Sequence, residues 1–311
     1  MEKIKVYTPP VAAAVLREWY AFPDNVVRVT AGPGGEALLI FGSDKTALLD
    51  TGMACFADIL LENLHAALQG RPLDYILCSH SHYDHIGAVA AVKKEWPQAC
   101  TCASTYAQKV FSRPGAIQTM QEMTQVAGQT YLGRTDFAID FRYMQVDRVL
   151  HEGEQLSLGN AAITVLETPG HTNCSLSYAL EPQGILFMSE STGVVNGKGL
   201  VESSVLKSYD QAYESIRKCR AYPAKRWVSP HAGLIPAGKE GRYWQLLEKD
   251  MDDTVQFVQD YPNGKSEDER LEAYVQLTYH QTKGFSQPRA AYALNAKYQL
   301  RAAAAYAEKN K

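Results

Sequence analysis

A layered α/β fold followed by a helical extension is what the sequence predicts, on three observations. Short apolar strand runs alternate with segments of helical periodicity up to about residue 238. Several of those strand runs end in a histidine or an acid instead of an ordinary turn. Beyond residue 238 the strand signal fades and alanine-rich helical text takes over. Alternation of the first kind is the mark of sheets covered by helices.

In order, residues 26–29, 37–41 and 46–50 read as strands separated by Gly-Pro-Gly-Gly and Gly-Ser-Asp-Lys turns. Residues 56–68 carry Ile59, Leu60, Leu64, Ala67 and Leu68 at helical spacing. Asp74-Tyr75-Ile76-Leu77-Cys78 is a buried-strand run that opens into a histidine-rich loop, and a helix follows over about 87–95, closed by Trp96-Pro97. Residues 106–136 are helical in character and form an insertion. Strands return near 142–149, 156–158, 162–167, 176–180 and 184–188, then a helix over 209–222 and a short strand at 227–229. Helices are expected over 243–261, 266–279 and 288–311. The division that follows is a core over 1–238 and a helical C-terminal extension over 239–311 packing on it.

Composition narrows the function classes. The 311 residues are 46% hydrophobic and 21% charged, close to ordinary globular values. Thirty-one basic against 34 acidic side chains gives a net charge of −3, which disfavours a phosphate-backbone binder, so no nucleic-acid partner is expected. No apolar run reaches the roughly 18 residues of a membrane span, and the first ten residues reach Pro9-Pro10 where a signal peptide would place its apolar stretch. A cytoplasmic location without a membrane partner is the expectation. The six cysteines form no C-x-x-C pair and read as small apolar residues, with Cys100 and Cys102 pointing the same way on one strand. Leu294 and Leu300, expected at exposed positions on the C-terminal helices, leave room for a homodimer.

The sharpest feature is Ser79-His80-Ser81-His82-Tyr83-Asp84-His85, directly after an apolar strand. Imidazole and carboxylate donors suit zinc, and also iron or manganese, and four candidate ligands in six residues could hold two ions close together. Three further strand ends carry donors: Thr168-Pro169-Gly170-His171-Thr172, Met188-Ser189-Glu190 and Ser229-Pro230-His231. Five of the eight histidines thus fall at strand ends, where ligands from several strands converge on one edge of a sheet.

The order Leu48-Leu49-Asp50-Thr51-Gly52, His80-x-His82-x-Asp84-His85, Thr168-Pro169-Gly170-His171-Thr172, an acid after a strand, and His231 resembles the metallo-β-lactamase superfamily over roughly residues 26–235. That resemblance implies a four-layer αββα sandwich with two metals in a cleft at one edge. It implies that His80, His82 and His171 hold the first metal, that Asp84, His85 and His231 hold the second, and that Glu190 bridges them. Asp50 is implied to orient a ligand histidine. Glu190 departs from the aspartate usual at the bridging position, and its extra methylene lengthens the side chain by about 1.5 Å.

Two divalent ions about 3.5–4 Å apart can lower the pKa of a shared water toward 7, making a bridging hydroxide the nucleophile, with Asp84 placed to orient it. The reading is a dinuclear hydrolase of a small ester or thioester, with lactone or phosphodiester as further options and zinc as the first choice of metal. The alternative is a metal-containing ligand-binding or regulatory protein with little or no turnover. The His82-Tyr83-Asp84-His85 variant, Pro230-His231-Ala232-Gly233, the helical insertion and the C-terminal helices resemble the quinolone-signal-response thioesterase and its esterase relatives, a likeness that is loose outside the metal motifs. Tyr106, Phe111, Met120, Met123 and Tyr209 are candidates for an apolar substrate wall. The glycine-containing loop over 192–199 could reach the cleft but lacks a G-x-x-x-x-G-K-[ST] pattern.

Overall fold

The computed structural model describes residues 4–196, 200–262, 264–282 and 287–310. Two six-stranded sheets lie face to face with helices on both outer sides, the αββα sandwich expected. The first sheet is built in the order β1 (Val26–Arg28), β2 (Leu38–Phe41), β3 (Thr46–Leu49), β4 (Tyr75–Leu77), β5 (Cys100–Ser104) and β6 (Arg148–Leu150). Its first three strands run antiparallel, and β3 to β6 pair in parallel. The second sheet uses β7 (Gln155–Ser157), β8 (Ala162–Glu167), β9 (Leu176–Glu181), β10 (Ile185–Phe187), β13 (Arg226–Ser229) and β14 (Gly233–Leu234), in spatial order 14-13-10-9-8-7. A separate hairpin joins β11 (Val194–Val195) to β12 (Val201–Glu202).

Strand periodicity explains why these runs read as continuously apolar. Leu38, Ile40, Ala47, Leu49 and Leu77 face the second sheet, while Leu39, Leu48 and Ile76 between them face the outer helices. Both faces are covered, so neither needs polar residues. The second sheet repeats the scheme: Ile185 and Phe187 point inward, and Leu186 packs with the helices outside.

Helix α1 (Ala13–Trp19) precedes the sheets, and α2 (Ala57–Leu68), α3 (Tyr83–Ile86), α4 (Val89–Glu95), α5 (Thr105–Phe111) and α6 (Pro114–Leu132) follow strands of the first sheet. The insertion is two helices because Pro114 starts a new one at its first turn, where the missing N–H is not needed. Outside the second sheet, α7 (Tyr209–Ala221) and α8 (Glu240–Asp260) share one apolar cluster, to which Ile216, Cys219, Trp244, Leu247 and Met251 contribute. Helices α9 (Glu267–Thr282) and α10 (Arg289–Lys309) complete the extension, with α10 contributing Ala302 and Ala303 to the same cluster.

Several expectations need correction. Leu300 is buried, 3% exposed, in a small cluster with Tyr274, Val275 and Ala296, so it offers no surface for a second copy; Leu294 is half-buried. Phe111 and Tyr209 are core residues, packed outside the first and second sheets respectively. The strand expected over 142–149 is mostly a turn: Asp140 caps a 3-10 helix at Phe141–Tyr143, and the strand proper is Arg148–Leu150. Helix α1 carries no sequence signal strong enough to have been read. Cys100 and Cys102 do share a strand face, their sulfurs 3.7 Å apart. No described helix is long and apolar enough to cross a membrane.

Candidate metal centre

Strands β8, β10 and β13 run in the same direction in the second sheet, so their carboxyl ends open onto one edge. Strand β4 of the first sheet ends beside them, joined by a hydrogen bond from the Leu176 amide to the Ser79 carbonyl. The loops leaving these four strands carry His80, His82, Asp84 and His85, then His171, Glu190 and His231. All seven candidate ligands come together. Donor atoms of His80, His82 and His171 lie within 4.8 Å of one another, and so do those of Asp84, His85, Glu190 and His231. All but His82, which is half-buried, are buried.

Glu190 sits between the two groups. Its Oε1 is 2.8 Å from His85 Nε2, 2.9 Å from His231 Nε2 and 3.6 Å from His80 Nε2, while Oε2 is 3.5 Å from His171 Nε2. Its place is set by the 3-10 turn Glu190–Thr192 and by two serines beside it. The Ser189 amide donates to Ser177 Oγ, and Ser191 Oγ donates to the Thr168 carbonyl while accepting from the His171 amide. The loop carrying His171 and the turn carrying Glu190 are thereby fastened to each other. The one carboxylate thus faces four imidazoles.

Behind the ligands lies Asp50, 4% exposed and held at φ 52°, a left-handed conformation uncommon for a non-glycine residue. Its carboxylate accepts from the Ser79 amide (2.7 Å), Ser79 Oγ (2.6 Å) and His85 Nδ1 (2.8 Å). The Nδ1–H of His85 is thereby committed to Asp50, and Nε2, facing Glu190 and His231, is the nitrogen left for a metal. The Ser204 carbonyl does the same for His171, accepting from Nδ1 at 2.6 Å and leaving Nε2 toward His82 Nδ1, 3.0 Å away.

Two contacts escaped the sequence reading. Gly35, in the Gly-Pro-Gly-Gly run read only as a turn, lies against the His85 ring: a Cβ there would fall 2.5 Å from Nδ1. The glycine run was the available signal, since close backbone approach is one of glycine's uses. Ser204 had no signal, because it acts through a main-chain carbonyl that any residue carries.

Burial shapes the charges. Desolvation and the neighbouring His85, His82 and His171 push the His80 pKa well below its usual value, and desolvation with His171 takes His82 down to about 3. Desolvation also lowers His171. His85 differs: burial alone would lower it, but Asp50, Asp84 and Glu190 outweigh that and raise it. For Glu190, burial opposes the charge, yet His171, His231 and His85 hold its carboxyl well below the carboxylate range. The shifts at His80, His82, His171 and Glu190 favour the protonation states of metal donors, whereas His85 would have to release its Nε2 proton to bind one.

The donor set fits metal. His80 Nε2 and both oxygens of Asp84 are buried with no hydrogen-bond partner, an arrangement that is unfavourable unless something else satisfies them. His85 Nε2 and His231 Nε2 stand 3.1 Å apart, and His171 Nε2 and His82 Nδ1 3.0 Å. Those spacings approach the edge of about 3.3 Å that nitrogen ligands at ~2.0–2.1 Å make around a tetrahedral zinc.

Of the expected substrate wall, Met120 and Met123 border a cavity beside His82, Asp84 and His171, whereas Phe111 and Tyr209 do not; Tyr106 is half-exposed nearby. In the loop over 192–199, Thr192 and Asn196 are buried; residues 197–199 lie outside the described residues.

The metallo-beta-lactamase superfamily model matches residues 32–231. A hydroxyacylglutathione hydrolase from Rhodospirillum rubrum is 28% identical over 159 residues, 51% of this chain and 48% of that protein. A hydroxyacylglutathione hydrolase from Methylococcus capsulatus is 26% identical over 187 residues, 60% and 57% respectively. The chain thus spans about half the length of these curated relatives. Among solved structures, the archaeal superfamily protein ST1585 from Sulfolobus tokodaii superposes with a TM-score of 0.55 at 18% identity, covering 91% of this chain and all of that one. The BLEG-1 B3 metallo-beta-lactamase superposes with a TM-score of 0.52 at 22% identity, covering 70% and 96%. These two likenesses concern the fold, and with the family match, which takes in every strand-end ligand, they place the chain: it belongs to the metallo-beta-lactamase superfamily.

Proposed function

We propose that this protein is a dinuclear metal-dependent hydrolase of small-molecule esters, with thioesters as the leading class. The observation that carries the proposal is the meeting of two ligand groups around one carboxylate, Glu190, with Asp50 and Ser204 fixing the tautomers of His85 and His171. The relatives named hydroxyacylglutathione hydrolase support thioesters within the ester class.

His80, His82 and His171 would hold one ion and Asp84, His85 and His231 the other, with Glu190 facing both. Divalent ions there, zinc first and iron or manganese as alternatives, supply activation of water at neutral pH and polarisation of the scissile carbonyl. The chain's own part is positional and acid–base. Asp84 presents Oδ1 and Oδ2 with no protein donor on either, so it can orient a water and take up its proton. Overall, water gives its oxygen to the acyl carbon, the carbon–sulfur or carbon–oxygen bond breaks, and the thiol or alcohol leaves with the proton. The helices beyond residue 238 and the 106–136 insertion roof the site in this reading.

The test is a panel of acetyl and longer-acyl esters and thioesters, a lactone and a phosphodiester, assayed with protein stripped by chelator and reloaded with zinc, manganese or iron(II). Thioester and ester turnover restored by metal is the expected result. A fully loaded protein that cleaves no member of the panel favours the metal-containing ligand-binding protein instead.

A further inference from the structure

Two cavities flank the ligand cluster, and they differ in size and in the charged side chains that line them. One, about 80 Å³, touches Glu190 and His231, and its lining includes the Glu202 and Asp250 carboxyl groups beside Tyr274 and Tyr292. The other, about 270 Å³, opens beside His82, Asp84 and His171. Its far wall is apolar: Met120 and Met123 come from α6, and Ala291 and Leu294 from α10. At its rim stands Lys207, an exposed residue whose Nζ lies 5.0 Å from the centre of the Tyr298 ring. Among the described residues no carboxylate comes within ion-pair distance of that ammonium. Tyr298 is itself 39% exposed, so cation and ring together mark the solvent end.

From this geometry we infer the substrate class: an amphiphilic monoanion whose apolar acyl chain lies between the α6 methionines and Leu294, and whose leaving group carries a carboxylate that pairs with Lys207. This rests on the hydrolase reading for the placement of the acyl carbon at the histidines. The smaller cavity is unsuited to either end. At about 80 Å³ it has little room for an extended alkyl chain, and its lining offers carboxyl groups and no lysine or arginine to an anion. The larger one offers both complements. Methionine suits a chain of variable shape, because its unbranched thioether repacks readily. Lys207 is then a specificity-determining residue that acts on binding and not on bond cleavage.

Three non-hydrolysable probes separate these elements: the S-octyl thioether of 3-mercaptopropionate, its primary amide, and the S-ethyl thioether acid. Each is titrated calorimetrically into the protein as purified. Each buried methylene is worth about fourfold in affinity, so the octyl acid is expected to bind at least about tenfold tighter than the ethyl acid even if part of the chain stays wet. Lys207→Gln is expected to weaken the octyl acid about threefold and Lys207→Glu about tenfold, with the amide unchanged in both. Met123→Trp, which fills the apolar wall, is expected to abolish the octyl preference and leave the ethyl acid as it was; Leu294→Trp serves if that variant does not fold. Equal affinity for octyl and ethyl acids overturns the acyl-chain assignment, and an octyl acid indifferent to both Lys207 substitutions overturns the carboxylate assignment. Failure here is distinct from failure of the hydrolase reading. Binding as expected without turnover of any panel member removes the activity alone, and turnover of acetyl thioesters with no probe preference removes this inference alone.

Discussion

Asp50→Asn removes one charge and almost no volume, which makes it the most informative perturbation of the centre. Asparagine tolerates the left-handed backbone that Asp50 adopts at φ 52°, so the loop keeps its course. The carboxylate accepts three hydrogen bonds, two from Ser79 and one from His85 Nδ1 at 2.8 Å. An amide can keep the bond from the Ser79 amide through Oδ1, but its NH2 then faces Ser79 Oγ and His85 Nδ1. His85 must turn Nδ1 into an acceptor, which moves its proton to Nε2, the atom 2.8 Å from Glu190 and 3.1 Å from His231. A lone pair is lost where a ligand is required. Loss of a hydrogen bond to a charged group amounts to about 1.5–3 kcal/mol, and loss of a partner behind a ligand histidine to about 10–100-fold in metal affinity. The expected result is a zinc affinity lowered 10- to 100-fold for one of two sites, measured by competition with a chromophoric chelator. Asp50→Ala is expected to lose roughly 1–2 kcal/mol of stability in addition, because alanine is strained at that φ. A zinc affinity for Asp50→Asn within threefold of the parent at both sites refutes the tautomer reasoning.

Other outcomes can be stated more briefly. Glu190→Asp withdraws the carboxylate by about 1.5 Å from histidines now 2.8–3.6 Å away, and elemental analysis after gel filtration is expected to show metal falling from two ions per chain toward one. Gly35→Ala places a methyl 2.5 Å from His85 Nδ1, and is expected to lower stability by about 1–3 kcal/mol with a matching loss of metal, read by denaturant titration. Glu202, whose carboxyl is pushed up to about 7 mainly by burial, against the hydrogen bond from Asn196 and with help from Asp250, gives a pH signature. A folded pKa above the unfolded value near 4.5 favours the protonated form on folding, so that contribution is full below pH 4.5 and is lost as pH rises through 7. Glu202→Gln is therefore expected to gain melting temperature relative to the parent as pH goes from 5 to 8, and a constant difference across that range would count against it.

Much of this molecule was legible in one dimension. Strands such as Thr46–Leu49 and Tyr75–Leu77 read as unbroken apolar runs because helices cover one face and the partner sheet the other, a constraint written directly into residue type. The His80-to-His85 loop was equally plain, since its four donors are neighbours in the chain. His171, Glu190 and His231 could be singled out as strand-end donors, but their meeting depends on β8, β10 and β13 running the same way in one sheet, which is a property of topology. Only the tertiary structure decided what stands behind the donors. Gly35 matters because it is pressed on the His85 ring from a loop 50 residues away, and Ser204 because its carbonyl accepts from His171. The same holds for Leu300, Phe111 and Tyr209: an apolar side chain is recorded in the sequence, but whether it faces solvent, a cavity or the core is fixed by what packs over it. Residue chemistry and local periodicity are carried by the chain itself; which distant surfaces come to share one edge is settled only when the two sheets close on each other.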